Sequence, residues 1–169
     1  MLVLSNPRTK TGRSAGKRSQ WLPAMLGAVT ALEALSGPAH AAPTEEERAV
    51  LAPLLTLLDG LKLHDKNMMQ SVLTPDGSAS LVRDGKLVQL KLSVFSDRIP
   101  FGADKYEEPI YDPLVKIDDN IAMIWAPYDF ILNDKLHHCG TDIVTLVRQD
   151  GRWLITGIAD NSRTNCKPR

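Results

Sequence analysis

The 169-residue chain reads as an α+β domain, helices first and a curved antiparallel sheet wrapped over them. Three observations carry that reading. Val50, Leu54, Leu57, Leu58 and Leu61 recur at helical spacing and make one apolar stripe. From Ser80 onward the apolar residues alternate or run together, as they do in strands. Between those runs stand Asp84-Gly85, Asp118-Asp119-Asn120, Asn133-Asp134-Lys135 and Asp150-Gly151, the short polar turns a meander needs.

Residues 1–41 have the three parts of a signal peptide. A basic stretch ends at Lys17-Arg18, an apolar stretch runs from Trp21 to Leu32, and Ala39-His40-Ala41 places small residues at a cleavage site. The apolar stretch is shorter than the roughly 20 residues a membrane span takes. Lys17-Arg18-Ser19-Gln20-Trp21-Leu22 is also a degenerate form of a twin-arginine signal, with Lys in the first position. The expectation is a periplasmic or secreted domain at 42–169, with no stable membrane insertion after processing. An N-terminal tail that is merely amphipathic is the alternative.

Thr44-Glu45-Glu46-Glu47 is a capping box: a hydroxyl for an orphan amide and a Glu three residues on. Pro53 lies inside the helical stripe that follows and should kink or limit the helix. A short second helix is expected over Lys66–Val72, closed by a turn at Thr74-Pro75-Asp76-Gly77. Asp84-Gly85 then joins two strands as a hairpin turn that needs positive φ. Leu92–Arg98 reads as a third helix, before strands at about Ile110–Ile117, Ile121–Leu132, Leu136–Arg148 and Arg152–Ala159.

The turns set an expected register. Leu132 should face Leu136, Phe130 His138, Tyr128 Gly140 and Ala126 Asp142. In the next hairpin Trp153 should face Arg148, Ile155 Leu146, Ala159 Asp142 and Arg163 His138. Because side chains alternate, one face then gathers Tyr128, Phe130, His138, Asp142, Trp153, Asn161 and Arg163. Small residues at Ala126, Gly140, Gly157 and Ala159 leave room there for a ligand. A carboxylate, an imidazole and a phenol in one place can serve acid–base chemistry, so His138, Asp142 and Tyr128 are the candidate catalytic residues. Phe130, Trp153, Asn161 and Arg163 join Tyr128 as candidate ligand contacts. The same polar cluster could be a purely structural network, with Asp142 bonded to backbone or Arg163.

The opposite face would carry Ile121, Met123, Trp125, Pro127, Ile143, Val147, Leu154 and Ile158. A face this apolar is unsuited to full solvation, and a homodimer packed sheet to sheet is expected, cover by the protein's own loops being the alternative. Cys139 points the same way. In an oxidising compartment Cys139 and Cys166 read as a disulfide, two unpaired thiols being the alternative.

Residues 42–169 hold 15 Lys and Arg against 19 Asp and Glu (20 − 5 and 20 − 1), a mildly acidic balance without a footprint for nucleic acid. No glycine-rich phosphate loop, nucleophile elbow or metal-ligand spacing occurs. Nucleotide cofactors, serine hydrolysis and metal catalysis are disfavoured, so no cofactor is expected.

The stretch Cys139-Gly140-Thr141-Asp142 to Asp150-Gly151-Arg152-Trp153-Leu154-Ile155, with Trp125-Ala126-Pro127-Tyr128-Asp129-Phe130 and His138, resembles the nuclear transport factor 2-like superfamily, especially small exported bacterial members. The resemblance covers about Thr44 to Asp160. It implies a cone-shaped α+β barrel with a pocket between sheet and helices, commonly dimeric. The superfamily holds ketosteroid isomerase-like and polyketide cyclase-like enzymes, dehydratases and non-catalytic binding domains, so fold does not decide function. The first helix lacks the Tyr that the isomerases use as oxyanion donor. The functions expected are a non-catalytic domain for a small apolar or mixed-polarity ligand, as alternative a cofactor-independent isomerase, cyclase or dehydratase using the Asp142/His138 pair, and behind both a purely structural dimerisation module.

Overall fold

The computed structural model describes residues 42–99 and 102–167; the expected signal segment lies outside them. Helix α1 (Glu45–Leu63) opens on the capping box. Thr44 Oγ1 accepts from the Glu47 amide at 3.1 Å, and Glu47 Oε2 accepts from the Thr44 amide at 2.7 Å. The helix continues through Pro53, which is buried, so the proline does not limit it. His64 closes it in the left-handed conformation, φ 57°. Helix α2 (Lys66–Gln70), capped by Asp65, follows at once.

Seven strands form one sheet in the order β2-β1-β7-β6-β5-β3, with β4 also paired to β5. They are β1 (Leu73–Arg83), β2 (Lys86–Lys91), β3 (Tyr106–Glu107), β4 (Leu114–Asp118), β5 (Ile121–Leu132), β6 (Lys135–Gln149) and β7 (Arg152–Arg163); helix α3 (Leu92–Asp97) follows β2. The sheet curves but does not close on itself, and β1 runs parallel to β7. Val50, Leu54 and Leu57 of the stripe pack into the concave face, against Ile124, Val144, Leu146, Ile155 and Ile158. Burying side chains of this size contributes about 1.5–3 kcal/mol each.

Four expectations about the strands change. The turn expected at Thr74–Gly77 is an irregularity inside β1, where the pairing steps from Leu73 to Ser78. The strand expected at 110–117 is broken: β3 pairs with the end of β5, β4 with its start, and a single bridge joins Ile110 to Tyr128 between them. Pro109 and Pro113 have no N–H for a ladder, and Asp112 takes a positive φ of 42°.

The turn between β5 and β6 is two residues, Asn133 (φ 51°) and Asp134 (φ 62°), so Leu132 faces Lys135 rather than Leu136. An irregularity beside Phe130 then takes in one extra residue of β6, and the expected pairs Phe130–His138, Tyr128–Gly140 and Ala126–Asp142 all occur.

In the next hairpin nothing offsets the irregularity. Arg148–Trp153 and Leu146–Ile155 pair as expected, but then Thr145 pairs with Gly157. Thr156 is the extra residue, a bulge, and side chains beyond it exchange faces. Ile158 and Asp160 therefore point inward, whereas Ala159, Asn161 and Arg163 point out. The expected pairs Ala159–Asp142 and Arg163–His138 become Asp160–Asp142 and Arg163–Cys139.

Candidate ligand site

A cavity of about 430 Å³ lies between the helices and the concave face of the sheet. Its walls are mainly apolar: Leu54, Leu58 and Leu61 of α1, Phe95 of α3, Val88 and Leu90 of β2. One end is polar, and four elements build it. Arg83 comes from the end of β1, His138 and Asp142 from β6, Asp160 from β7, and Glu108 from the segment just after β3.

Asp142 and Asp160 are direct partners across the β6–β7 ladder. Two carboxylates so placed repel each other, and each has a different remedy. Asp160 forms an ion pair with Arg83 and accepts a hydrogen bond from the Tyr128 hydroxyl at 2.8 Å. Asp142, only 6% exposed, is in hydrogen-bonding reach of the Glu108 carboxyl. Burial first, and the charge of Asp160 second, push the Asp142 carboxyl up to about 8. Burial, Asp142 and Asp160 push the Glu108 carboxyl upward as well. The pair thus holds a proton at neutral pH, because two desolvated carboxylates in contact cannot both ionise. For Arg83, burial opposes the charge, but Asp160 outweighs it and holds the guanidinium above its usual range.

His138 stacks on Phe130, with ring centroids 4.7 Å apart, and its Nδ1 lies 2.9 Å from that of His137. Burial, then His137 and Arg83, hold its pKa below the ordinary histidine value. The imidazole is neutral at neutral pH.

Of the residues expected here, Phe130, His138 and Asp142 line the cavity. Tyr128 lies beneath it, 1% exposed. Its one hydroxyl proton faces two acceptors, Asp160 Oδ1 and the Asn161 carbonyl at 2.9 Å. Burial and the neighbouring Asp160 push its pKa up. Gly140 does not leave room for a ligand: an added Cβ would lie 2.5 Å from the Tyr128 ring, which fills that space. Trp153 belongs to the core at the other end of the sheet. Its Nε1 donates to Glu46 at 3.1 Å, and the Arg148 guanidinium lies over its ring at 4.6 Å.

Asn161 and Arg163 sit on the outer face, where Asn161 Oδ1 accepts from the Thr141 amide at 3.1 Å and from Arg163 at 3.4 Å. The bulge at Thr156 put them there. Asp142 accordingly meets Glu108 and Asp160, not Arg163. Cys139 and Cys166 are bonded to each other, with Cα atoms 5.8 Å apart.

Sequence reasoning missed Glu108, Asp160 and Arg83. Gly157 inside a strand was the available signal for the bulge, and with it for Asp160. Glu108 lies in Glu107-Glu108-Pro109, which carries no strand period to orient it. Among the described residues no group of three or more His, Cys, Asp or Glu side chains is arranged to hold a metal ion.

A family model described as "Putative lumazine-binding" matches residues 45–157. No curated protein matches the chain significantly. Among solved structures, an NTF2-like protein of unknown function from Shewanella baltica aligns with a TM-score of 0.56 at 19% identity, over 75% of this chain and 100% of that one. A "Putative Scytalone Dehydratase" from Novosphingobium aromaticivorans gives 0.59 at 12% identity, over 73% and 89%. A "putative ketosteroid isomerase" from Shewanella frigidimarina gives 0.53 at 14%, over 66% and 94%. At these identities the likeness is one of fold, and the fold is NTF2-like.

Proposed function

This chain belongs to the "Putative lumazine-binding" family, and from that premise we propose that it is an exported, non-catalytic domain that binds a small organic ligand. The observation that carries the reading is the 430 Å³ cavity, apolar along its walls and polar at one end. That is the make-up of a small-molecule site: apolar area for affinity, a few convergent polar groups for orientation. The family description suggests ligand binding and leaves the specificity open.

A neutral fluorescent probe, N-phenyl-1-naphthylamine, tests it. The folded protein should raise the probe's emission on binding. Leu58→Trp, which fills the cavity from α1, should weaken that binding about tenfold, a loss of roughly 1.4 kcal/mol. Wild-type protein with intact circular dichroism that leaves the probe's emission unchanged overturns the reading.

Export is supported by the Cys139–Cys166 bond, which persists in oxidising compartments. Intact mass of the periplasmic product should correspond to a chain starting near Ala42; a cytoplasmic chain retaining Met1 would refute it. A homodimer through the outer face is part of the same proposal, motivated by the exposed Leu114, Ile121 and Trp125 there.

The second reading is a proton-transfer enzyme, favoured by one observation: Asp142, which can hold a proton near neutral pH, and a neutral His138 line the same cavity. In that reading Asp142 and Glu108 move the proton. Tyr128, already donating to Asp160, positions that carboxylate. Loss of turnover of an identified substrate in Asp142→Asn would support it over simple binding.

A further inference from the structure

Resting on the reading that the cavity is a ligand site, we propose that its ligand carries an organic ammonium or amidinium head, which docks between Asp142 and Glu108 while its apolar body lies along α1 and α3. The polar end has three carboxyl groups and, beside them, the half-buried cation of Arg83. That cation is engaged by Asp160, whose other oxygen accepts from Tyr128. Asp142 is more than nine-tenths buried and lines the cavity. Among the described residues no N–H donates to its side chain. Glu108, which lines the same end of the cavity and comes within hydrogen-bonding reach of it, is itself an acid.

A buried carboxylate set against another carboxyl lacks the cation or donors that burial normally demands. A proton shared by the two carboxyls can fill that role. A ligand N–H cation has the same charge and several donors, and it can satisfy both carboxylates at once. The proton it displaces goes to solvent. An anionic head would instead face Asp142, Glu108 and Asp160 with no free buried cation to receive it. Arg98 also lines the cavity from the end of α3, but it is exposed, and water screens its charge.

The remaining groups about Asp142 are already assigned. Asp160 on β7 and Arg83 on β1 neutralise each other, His138 on the same strand is neutral, and Tyr128 on β5 donates to Asp160. Cation binding therefore competes with one proton on the Asp142–Glu108 pair. Affinity should rise with pH by as much as about tenfold per unit below the pair's titration, then level off.

The experiment is calorimetric titration of the folded mature chain with three naphthyl probes of one shape: 2-(1-naphthyl)ethylamine, 2-(1-naphthyl)ethanol and 1-naphthylacetic acid. The amine should bind at least about tenfold tighter than the alcohol, the acid weakest. Amine affinity should increase between about pH 6 and pH 9, with a proton released that shows in the buffer dependence of the heat. In Asp142→Asn, and separately in Glu108→Gln, the amine-to-alcohol ratio should fall toward one. The wild-type pH series stands even if a variant fails to fold. Equal or tighter binding of the alcohol or the acid overturns the proposal while leaving the cavity a ligand site. If none of the three binds and N-phenyl-1-naphthylamine also fails, the ligand-site reading itself falls, and this proposal with it.

Discussion

Asp142 on β6 stands directly opposite Asp160 on β7, one carboxylate neutralised by Arg83 and the other by a proton. This asymmetry organises the polar end of the cavity. It also ties the stability of the fold to pH, because the two charges are relieved by different means.

Asp142 has a raised pKa in the folded state, about 8 against an ordinary value of 3.8. Between those two values the folded chain holds a proton that the unfolded chain releases, so stability falls as pH rises through that window. Asp142→Asn removes the penalty. It should leave the melting temperature unchanged near pH 4 and raise it by about 5 °C near pH 9. Differential scanning calorimetry across that range checks it; a variant less stable than wild type at high pH would contradict the burial argument.

Removing Arg83 leaves Asp160 without its cation. Arg83 is partly exposed, and solvent screening reduces what the pair contributes. Arg83→Met should therefore cost only about 1–3 kcal/mol, measured by urea unfolding at neutral pH. The loss should shrink in Asp160→Asn, where no carboxylate is stranded; equal losses in both backgrounds would mean the pair is not coupled.

Gly140 is held small by Tyr128 and by the backbone of Asn161. A methyl group at that position has no place to go without moving a strand. Gly140→Ala should destabilise by about 1–3 kcal/mol and lower ligand affinity indirectly, by displacing the Tyr128 hydroxyl from Asp160. Gly151, with open space around it but φ at 75°, provides the contrast: Gly151→Ala acts through backbone strain, at about 1 kcal/mol.

The Cys139–Cys166 bond ties the end of the chain to β6 across 27 residues. In the chain-entropy model such a loop contributes roughly 3–4 kcal/mol. Replacing both cysteines with Ser should lower the melting temperature accordingly, and reduction of the wild type should lower it to the same value.

Dimerisation has its own test. Trp125 is 44% exposed on the outer face, and Trp125→Glu should turn a sedimenting dimer into a monomer without altering probe uptake. A wild-type monomer at micromolar concentration would refute that part of the proposal.

Some of this protein is legible in its residues alone. The capping box at Thr44, the stripe from Val50 to Leu61 and the Asp84-Gly85 and Asp150-Gly151 turns are local chemistry, and the helix order and meander follow from them. Phe130, His138 and Asp142 share the cavity face as strand alternation predicts, but only because the irregularity beside Phe130 offsets a turn one residue shorter than expected. Which residues join them was decided elsewhere. Thr156 bulges out of β7 where β1 and β6 flank it, and that one extra residue carries Asp160 inward and Asn161 and Arg163 outward. Glu108 and Arg83 reach Asp142 and Asp160 from segments far away in sequence, through the curvature of the whole sheet. Periodicity reports which neighbours share a face, but only three-dimensional packing decides which charges meet. Here it set two acids side by side and gave a cation to only one of them.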